Sequence, residues 1–118
     1  MKRAKADYAT GFHILAGDER SQAGTLVIQP GCHVGGPNNK HRGADQWIYV
    51  ESGSGEATIE DKTYPLAKGT LILIQRTEAH GFRNTADAPL NILTFYVPPA
   101  YYEPAYYENE NELPAGLP

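Results

Sequence analysis

The chain has one cysteine in 118 residues, Cys32, so no disulfide can close within it. A lone thiol is the usage of a reducing compartment, and it leaves zinc-finger and dithiol redox motifs without their ligands. With only His33 beside it as a cationic neighbour, Cys32 reads as packing rather than as a nucleophile. The longest purely aliphatic run, Leu71–Ile74, is far short of the ~20 residues that span a bilayer as a helix. The stretch after Lys5 carries Asp7 and His13 and has no apolar block of the signal-peptide kind. A cytoplasmic location with no membrane partner is therefore expected. Basic residues are scarce as well: Lys and Arg number 10 against 14 Asp and Glu, for a net charge of −4. Binding to nucleic acid needs a basic stripe that neutralises phosphates, so no nucleic-acid partner is expected. No phosphate-cradling glycine loop and no ordered Ser–His–Asp set is present, which disfavours kinase and hydrolase readings. Apolar residues at helical spacing are missing too.

What the chain has instead is a succession of short β-rich runs broken by turn residues, with 12 glycines and 9 prolines among them. The pattern predicts strands over residues 24–29, 46–51, 56–60, 63–64, 70–75, 81–84 and 90–97, an arrangement suited to a sandwich or barrel. Ser52–Gly55 reads as a hairpin turn, Asp61–Lys62 as a second turn and Thr85–Pro89 as a third. The run Thr70–Gln75 is apolar on both faces and is expected in the centre of a sheet. Alternation in the 46–51 strand puts Gln46, Ile48 and Val50 on one side and Trp47, Tyr49 and Glu51 on the other. Aromatics on that second side need cover, and a self-complementary interface makes a homodimer the expected assembly. After Pro98–Pro99 the composition changes: Ala100–Tyr101–Tyr102–Glu103 nearly repeats as Ala105–Tyr106–Tyr107–Glu108. Residues 98–118 read as an arm, lying over its own barrel or docked on a second subunit.

Two spacings carry a resemblance. Asn39–Lys40–His41 is followed by four residues, Gln46, six residues and Gly53; farther on, Gly69 is followed by five residues, Gln75–Arg76–Thr77, two residues, His80, three residues and Asn84. The chain resembles the cupin family in these two segments, and the resemblance runs from about Gly24 to Val97. In the family the first motif is His-x-His, Glu and Gly, so Asn39 and Gln46 replace a histidine and a glutamate. In the second, Gln75 and Thr77 replace a proline and a glycine, while Gly69, His80 and Asn84 keep their register. The resemblance implies an all-β, cupin-type double-stranded β-helix, or jelly-roll barrel. A single domain over residues 1–118, with its barrel core at about 24–97, would result.

It also implies that His41 and His80, though 39 positions apart, line one pocket. Two neutral imidazoles with open positions suit a divalent transition ion such as Fe, Mn, Ni or Zn. Gln46 and Asn39 can each offer a carbonyl oxygen to the ion or hydrogen-bond a ligand instead. The acid nearest to Gln46, Asp45, should point to the opposite face. His33 is a candidate third imidazole, whereas His13 reads as structural or surface. Tyr49, Phe82, Phe95 and Tyr96 read as core or interface, with room for one to line the pocket, and Arg42, Arg76 and Arg83 flank the motifs. The function implied is a small cupin that binds a divalent metal and a small organic or sugar-like ligand, as a dioxygenase, isomerase or lyase. The alternatives are a metal-free small-molecule binding module and an oligomerisation or sensory partner protein.

Overall fold

Every regular element among residues 1–41 and 43–101, the residues described by the computed structural model, is a strand. In chain order they are β1 (Gly11–Gly17), β2 (Gln22–Ile28), β3 (His33–Gly36), β4 (Asp45–Ser52), β5 (Ser54–Ile59), β6 (Lys62–Ala67), β7 (Leu71–Ile74), β8 (His80–Arg83) and β9 (Leu90–Val97). They form a five-stranded sheet in the order β1-β2-β9-β4-β7 and a four-stranded sheet in the order β3-β8-β5-β6. All pairings are antiparallel. This is the double-stranded β-helix that the two motifs implied.

The two-residue period of a strand explains where the core lies. In β4, Gln46, Ile48 and Val50 are buried while Trp47, Tyr49 and Glu51 are exposed, as the alternation predicts. In β9, Leu90, Ile92, Thr94 and Tyr96 face inward. Ile48, Val50, Ile92 and Leu90 have no exposed surface and meet Ala57, Leu66 and Phe82 of the other sheet. Burying each large aliphatic side chain there contributes on the order of 1.5–3 kcal/mol.

Three expectations change. Ser52–Gly55 is not a hairpin turn, because β4 and β5 belong to different sheets. The chain crosses between sheets at Gly53, whose φ is +89° and where a Cβ would lie 2.4 Å from the Pro89 carbonyl oxygen. The tight hairpin is the next connection, β5 to β6, where Glu60 and Asp61 both take positive φ, the backbone of a two-residue hairpin loop. The apolar run at 70–75 is not central: among the described residues β7 is an edge strand, paired only with β4. Its Ile74 is buried, whereas Leu71 and Leu73 look outward. The five-stranded sheet also begins before Gly24, since β1 pairs with β2 from Gly11 onward.

No helix among the described residues is long and apolar enough to cross a membrane.

Candidate functional site

A single row of inward side chains crosses the five-stranded sheet. Gln22 of β2, Tyr96 of β9, Gln46 of β4 and Ile74 of β7 are register partners in turn. Gln22, Tyr96 and Gln46 are all buried, so each polar atom there needs a partner inside the protein. Thr94 settles the orientation of Gln46. Its hydroxyl donates to the Trp47 carbonyl at 3.1 Å, which leaves its oxygen to accept from Gln46 Nε2 at 3.0 Å. Gln46 Nε2 lies also 3.2 Å from the Tyr96 hydroxyl. Its other end, Oε1, is buried without a hydrogen-bond partner among the described residues.

His41 and His80 do come together. His41 precedes β4 and His80 opens β8, yet their ring centroids are 5.2 Å apart. The His41 ring also lies 5.2 Å from Tyr96, edge to face. Three hydrogen bonds to their backbones fix these positions. Asn39 brackets His80: its carbonyl accepts from the His80 amide at 2.9 Å, and its Nδ2 donates to the His80 carbonyl at 3.3 Å. The side chain of Asn39 can reach that far because Gly35 has no Cβ, which would lie 2.8 Å from Nδ2. The carbonyl of His41 accepts from the Thr77 amide at 3.0 Å. Thr77 holds φ at +73°, a left-handed conformation costly for a β-branched residue. It occupies the position of the motif's missing glycine.

The electrostatics favour a neutral ring at His41. Burial first, and then the nearby His80, push the pKa of His41 from 6.5 down to about 4. Its Nε2 is buried with no hydrogen-bond partner among the described residues. His80 is 1 % exposed, and its Nδ1 lies 3.1 Å from the Glu78 carbonyl. A carbonyl only accepts, so Nδ1 carries a proton and donates it to Glu78.

The remaining candidates lie elsewhere. His33 is exposed on β3, opposite Arg83 in register. His13 sits in β1 with Nε2 2.9 Å from the Thr10 carbonyl. Asp45 faces away from the interior and pairs with Arg76 at 3.3 Å; hydrogen bonds from the Arg76 side chain and amide lower its pKa. Cys32 is exposed, which corrects its reading as a packing residue: β3 leaves it on the rim of a turn. Asn84 keeps its motif place for a structural reason. Its Nδ2 donates to the Ile28 and Ala88 carbonyls, both at 2.8 Å, and its Oδ1 accepts from the Ala86 amide at 2.9 Å. Arg42 lies outside the described residues.

Three members of the site were not anticipated. Tyr101, in the expected arm, is 5 % exposed, with its ring 6.1 Å from His41 and 5.3 Å from Tyr96. The amide of Gln22 holds the backbone that carries it: Oε1 accepts from the Ala100 and Tyr101 amides at 3.1 and 3.0 Å, and Nε2 donates to the Tyr101 carbonyl. Phe12, 6.2 Å from Tyr96 and 5.4 Å from Tyr101, closes the aromatic side. A polar residue at an inward position of β2 was the one signal available for Gln22. Nothing in the sequence singles out Tyr101 from the other tyrosines of the arm, of which Tyr102, Tyr106 and Tyr107 lie outside the described residues.

A family model described as a cupin domain matches residues 24–96. Protein SchB of Streptomyces halstedii is 29% identical over 107 residues, covering 86% of this chain and 75% of SchB. Among solved structures, BH2720 from Bacillus halodurans is 25% identical with a TM-score of 0.73, covering 80% of this chain and 74% of that one. KdgF from a Halomonas species is also 25% identical, with a TM-score of 0.65 and coverage of 75% and 77%.

Proposed function

The chain belongs to the cupin family, and from that premise we propose that its interior binds one divalent transition ion between His41 and His80 and offers it to a small organic or sugar-like ligand. One observation carries this reading. Two polar atoms, His41 Nε2 and Gln46 Oε1, are buried with no hydrogen-bond partner among the described residues. An unsatisfied buried polar atom costs about 1–3 kcal/mol, a cost that a bound ion or a ligand group would remove.

The donor set fits such an ion. His41 and His80 would hold it through neutral imidazole nitrogens, and Gln46 would add a carbonyl oxygen. Fe, Mn, Ni and Zn all accept ligands of these kinds. Asn39, the fourth expected ligand, also fixes the backbone of His80 through its Nδ2 and its carbonyl. When bound, the ion would supply a Lewis acid or an oxygen site with open positions. The residues themselves prepare that site. Burial keeps His41 unprotonated, the Glu78 carbonyl accepts the Nδ1 proton of His80, and Thr94 turns the carbonyl of Gln46 away from its own hydrogen bonds. No carboxylate stands among these donors, so the positive charge would go largely uncompensated and an anionic ligand is favoured.

A second reading keeps the pocket and drops the ion: a binding module for a sugar or small organic acid. It is favoured by the absence, among the described residues, of any group of three or more His, Cys, Asp and Glu able to share a metal. Elemental analysis of untagged protein, with calorimetric titration of Mn, Fe, Ni and Zn salts into chelator-treated protein, separates the two. The metal reading expects one ion per chain and loss of binding in both His41→Ala and His80→Ala. Protein that takes up none of the four metals, yet binds sugars or organic acids, establishes the binding module instead.

A further inference from the structure

The turn from β7 to β8, residues 75–79, carries the chain from the five-stranded sheet to the four-stranded one. It reaches both histidines. The Thr77 amide donates to the His41 carbonyl at 3.0 Å, and the Glu78 carbonyl accepts from His80 Nδ1 at 3.1 Å. Thr77 itself sits at φ +73°, a strained conformation that persists only where its surroundings enforce it. Side-chain carboxylates do so here. Glu78 Oε1 accepts from the Gln75 amide at 2.7 Å, Asp45 Oδ1 from the Arg76 amide at 2.9 Å, and Glu60 Oε1 from the Ala79 amide at 3.3 Å. Asp45 opens β4, next to Gln46 in sequence, and its bond is made to the amide immediately before Thr77. One strand thus turns Gln46 into the interior and, from its opposite face, secures the turn that holds the histidines.

We propose that Asp45 is a positioning residue of the His41–His80 site, acting through the Arg76 amide on the Thr77 and Glu78 groups that set the two rings. What counts is the oxygen acceptor, not the charge. The Arg76 guanidinium lies 3.3 and 3.4 Å from the same carboxylate and is largely in solvent, and an exposed ion pair of that kind contributes little. The bond to the main-chain amide is different: it is charge-assisted and it fixes backbone rather than a mobile side chain. Without it, the turn is free to leave the left-handed conformation at Thr77, and the bonds to His41 and His80 loosen together. The role of Asp45 rests on the interior being the ligand site proposed above, but not on which ion or ligand enters.

Three variants separate the acceptor from the charge. Asp45→Ala removes the acceptor, Asp45→Asn removes the charge but keeps an oxygen for the Arg76 amide, and Arg76→Ala removes the guanidinium but keeps the amide. The first readout needs no metal: hydrogen exchange of the Thr77 amide in chelator-treated protein, with the nitrogen-15 shift of His80 Nδ1 at about pH 8, above the ordinary histidine pKa. The second is the dissociation constant for Zn, measured against a competing chelator. Asp45→Ala should speed the Thr77 exchange at least about tenfold, move the His80 Nδ1 shift away from that of a protonated nitrogen, and weaken Zn binding about tenfold or more. Asp45→Asn and Arg76→Ala should stay within about threefold of the wild type. If Asp45→Ala does not fold, Asp45→Ser, whose hydroxyl is too short for the same bond, replaces it. Wild-type exchange and shift in a folded Asp45→Ala, even with a lowered melting temperature, overturn the proposal. So does an Asp45→Asn that behaves as Asp45→Ala, which would assign the effect to charge. A response to Asp45→Ala in a protein that takes up no Zn, the wild type included, rejects the ion alone; Zn uptake with no response to Asp45→Ala rejects the positioning role alone.

Discussion

His41 makes the stability of this protein sensitive to mild acid. Burial and the neighbouring His80 lower its pKa from 6.5 to about 4 in the folded chain, while the unfolded chain regains the ordinary value. As pH falls through the interval from 6.5 to about 4 the unfolded state binds the proton and the folded state does not. The stabilisation is thus complete above 6.5 and is lost as the pH drops across that window. Each pKa unit is worth about 1.4 kcal/mol, so the interval corresponds to about 3 kcal/mol, and screening at a part-exposed ring reduces this to about 2 kcal/mol. Urea denaturation in steps from pH 7 to pH 4, with chelator present, measures it against His41→Phe. Phenylalanine keeps a ring against Tyr96 and Tyr101 but cannot titrate. The wild type should lose about 2 kcal/mol more than the variant over that range. Asp18 and Asp45 also have lowered pKa values. Their contributions are lost as pH falls through their folded values, below 3.8, and are common to both proteins, so they cancel. Parallel pH profiles for wild type and variant would refute the argument that the ring is held neutral by its surroundings.

Three other outcomes are expected. Thr77→Gly relieves a left-handed threonine and should stabilise the protein by about 1 kcal/mol in chemical denaturation, the gain being offset in part by a more flexible unfolded chain; a loss would mean that the side chain has a packing role. Gly53→Ala drives a Cβ into the Pro89 carbonyl at a positive φ and should cost at least about 2 kcal/mol, read as a fall in the urea midpoint. The outer face of the five-stranded sheet carries Trp47 between Leu73 and Phe95, and Tyr49 between Leu71 and Leu93. A homodimer built on that face should give a light-scattering mass near twice 12.9 kDa, and Trp47→Asp should return it to the monomer.

Much of the barrel was legible because strands advertise themselves by a period of two. The alternation in β4 marks which residues face the core, and the two motifs lead to His41 and His80, whose ring centroids are 5.2 Å apart. Where that period fails, so did the reading. β1 is apolar on both faces, and β3 is four residues long with two glycines, so neither stands out from a loop. The run at β7 was apolar for two different reasons: Ile74 is core, while Leu71 and Leu73 belong to an outer surface, and a list of residues does not separate them.

The sequence by itself determined seven of the nine strands among the described residues, the inward side of β4 and the pairing of the two histidines, because these follow from local period and spacing. Only the tertiary structure decided the rest. Which strands share a sheet depends on pairings between residues distant in the chain, so Gly53 could be placed as a crossing rather than a hairpin only once Pro89 stood beside it. The direction of the amide of Gln46 depends on Thr94, 48 positions away, and the neutrality of His41 depends on the rings around it. The place of Tyr101 depends on Gln22, 79 positions earlier. Buried polar atoms take whatever partner the fold brings within reach, and that choice leaves no mark on the residues nearby in sequence.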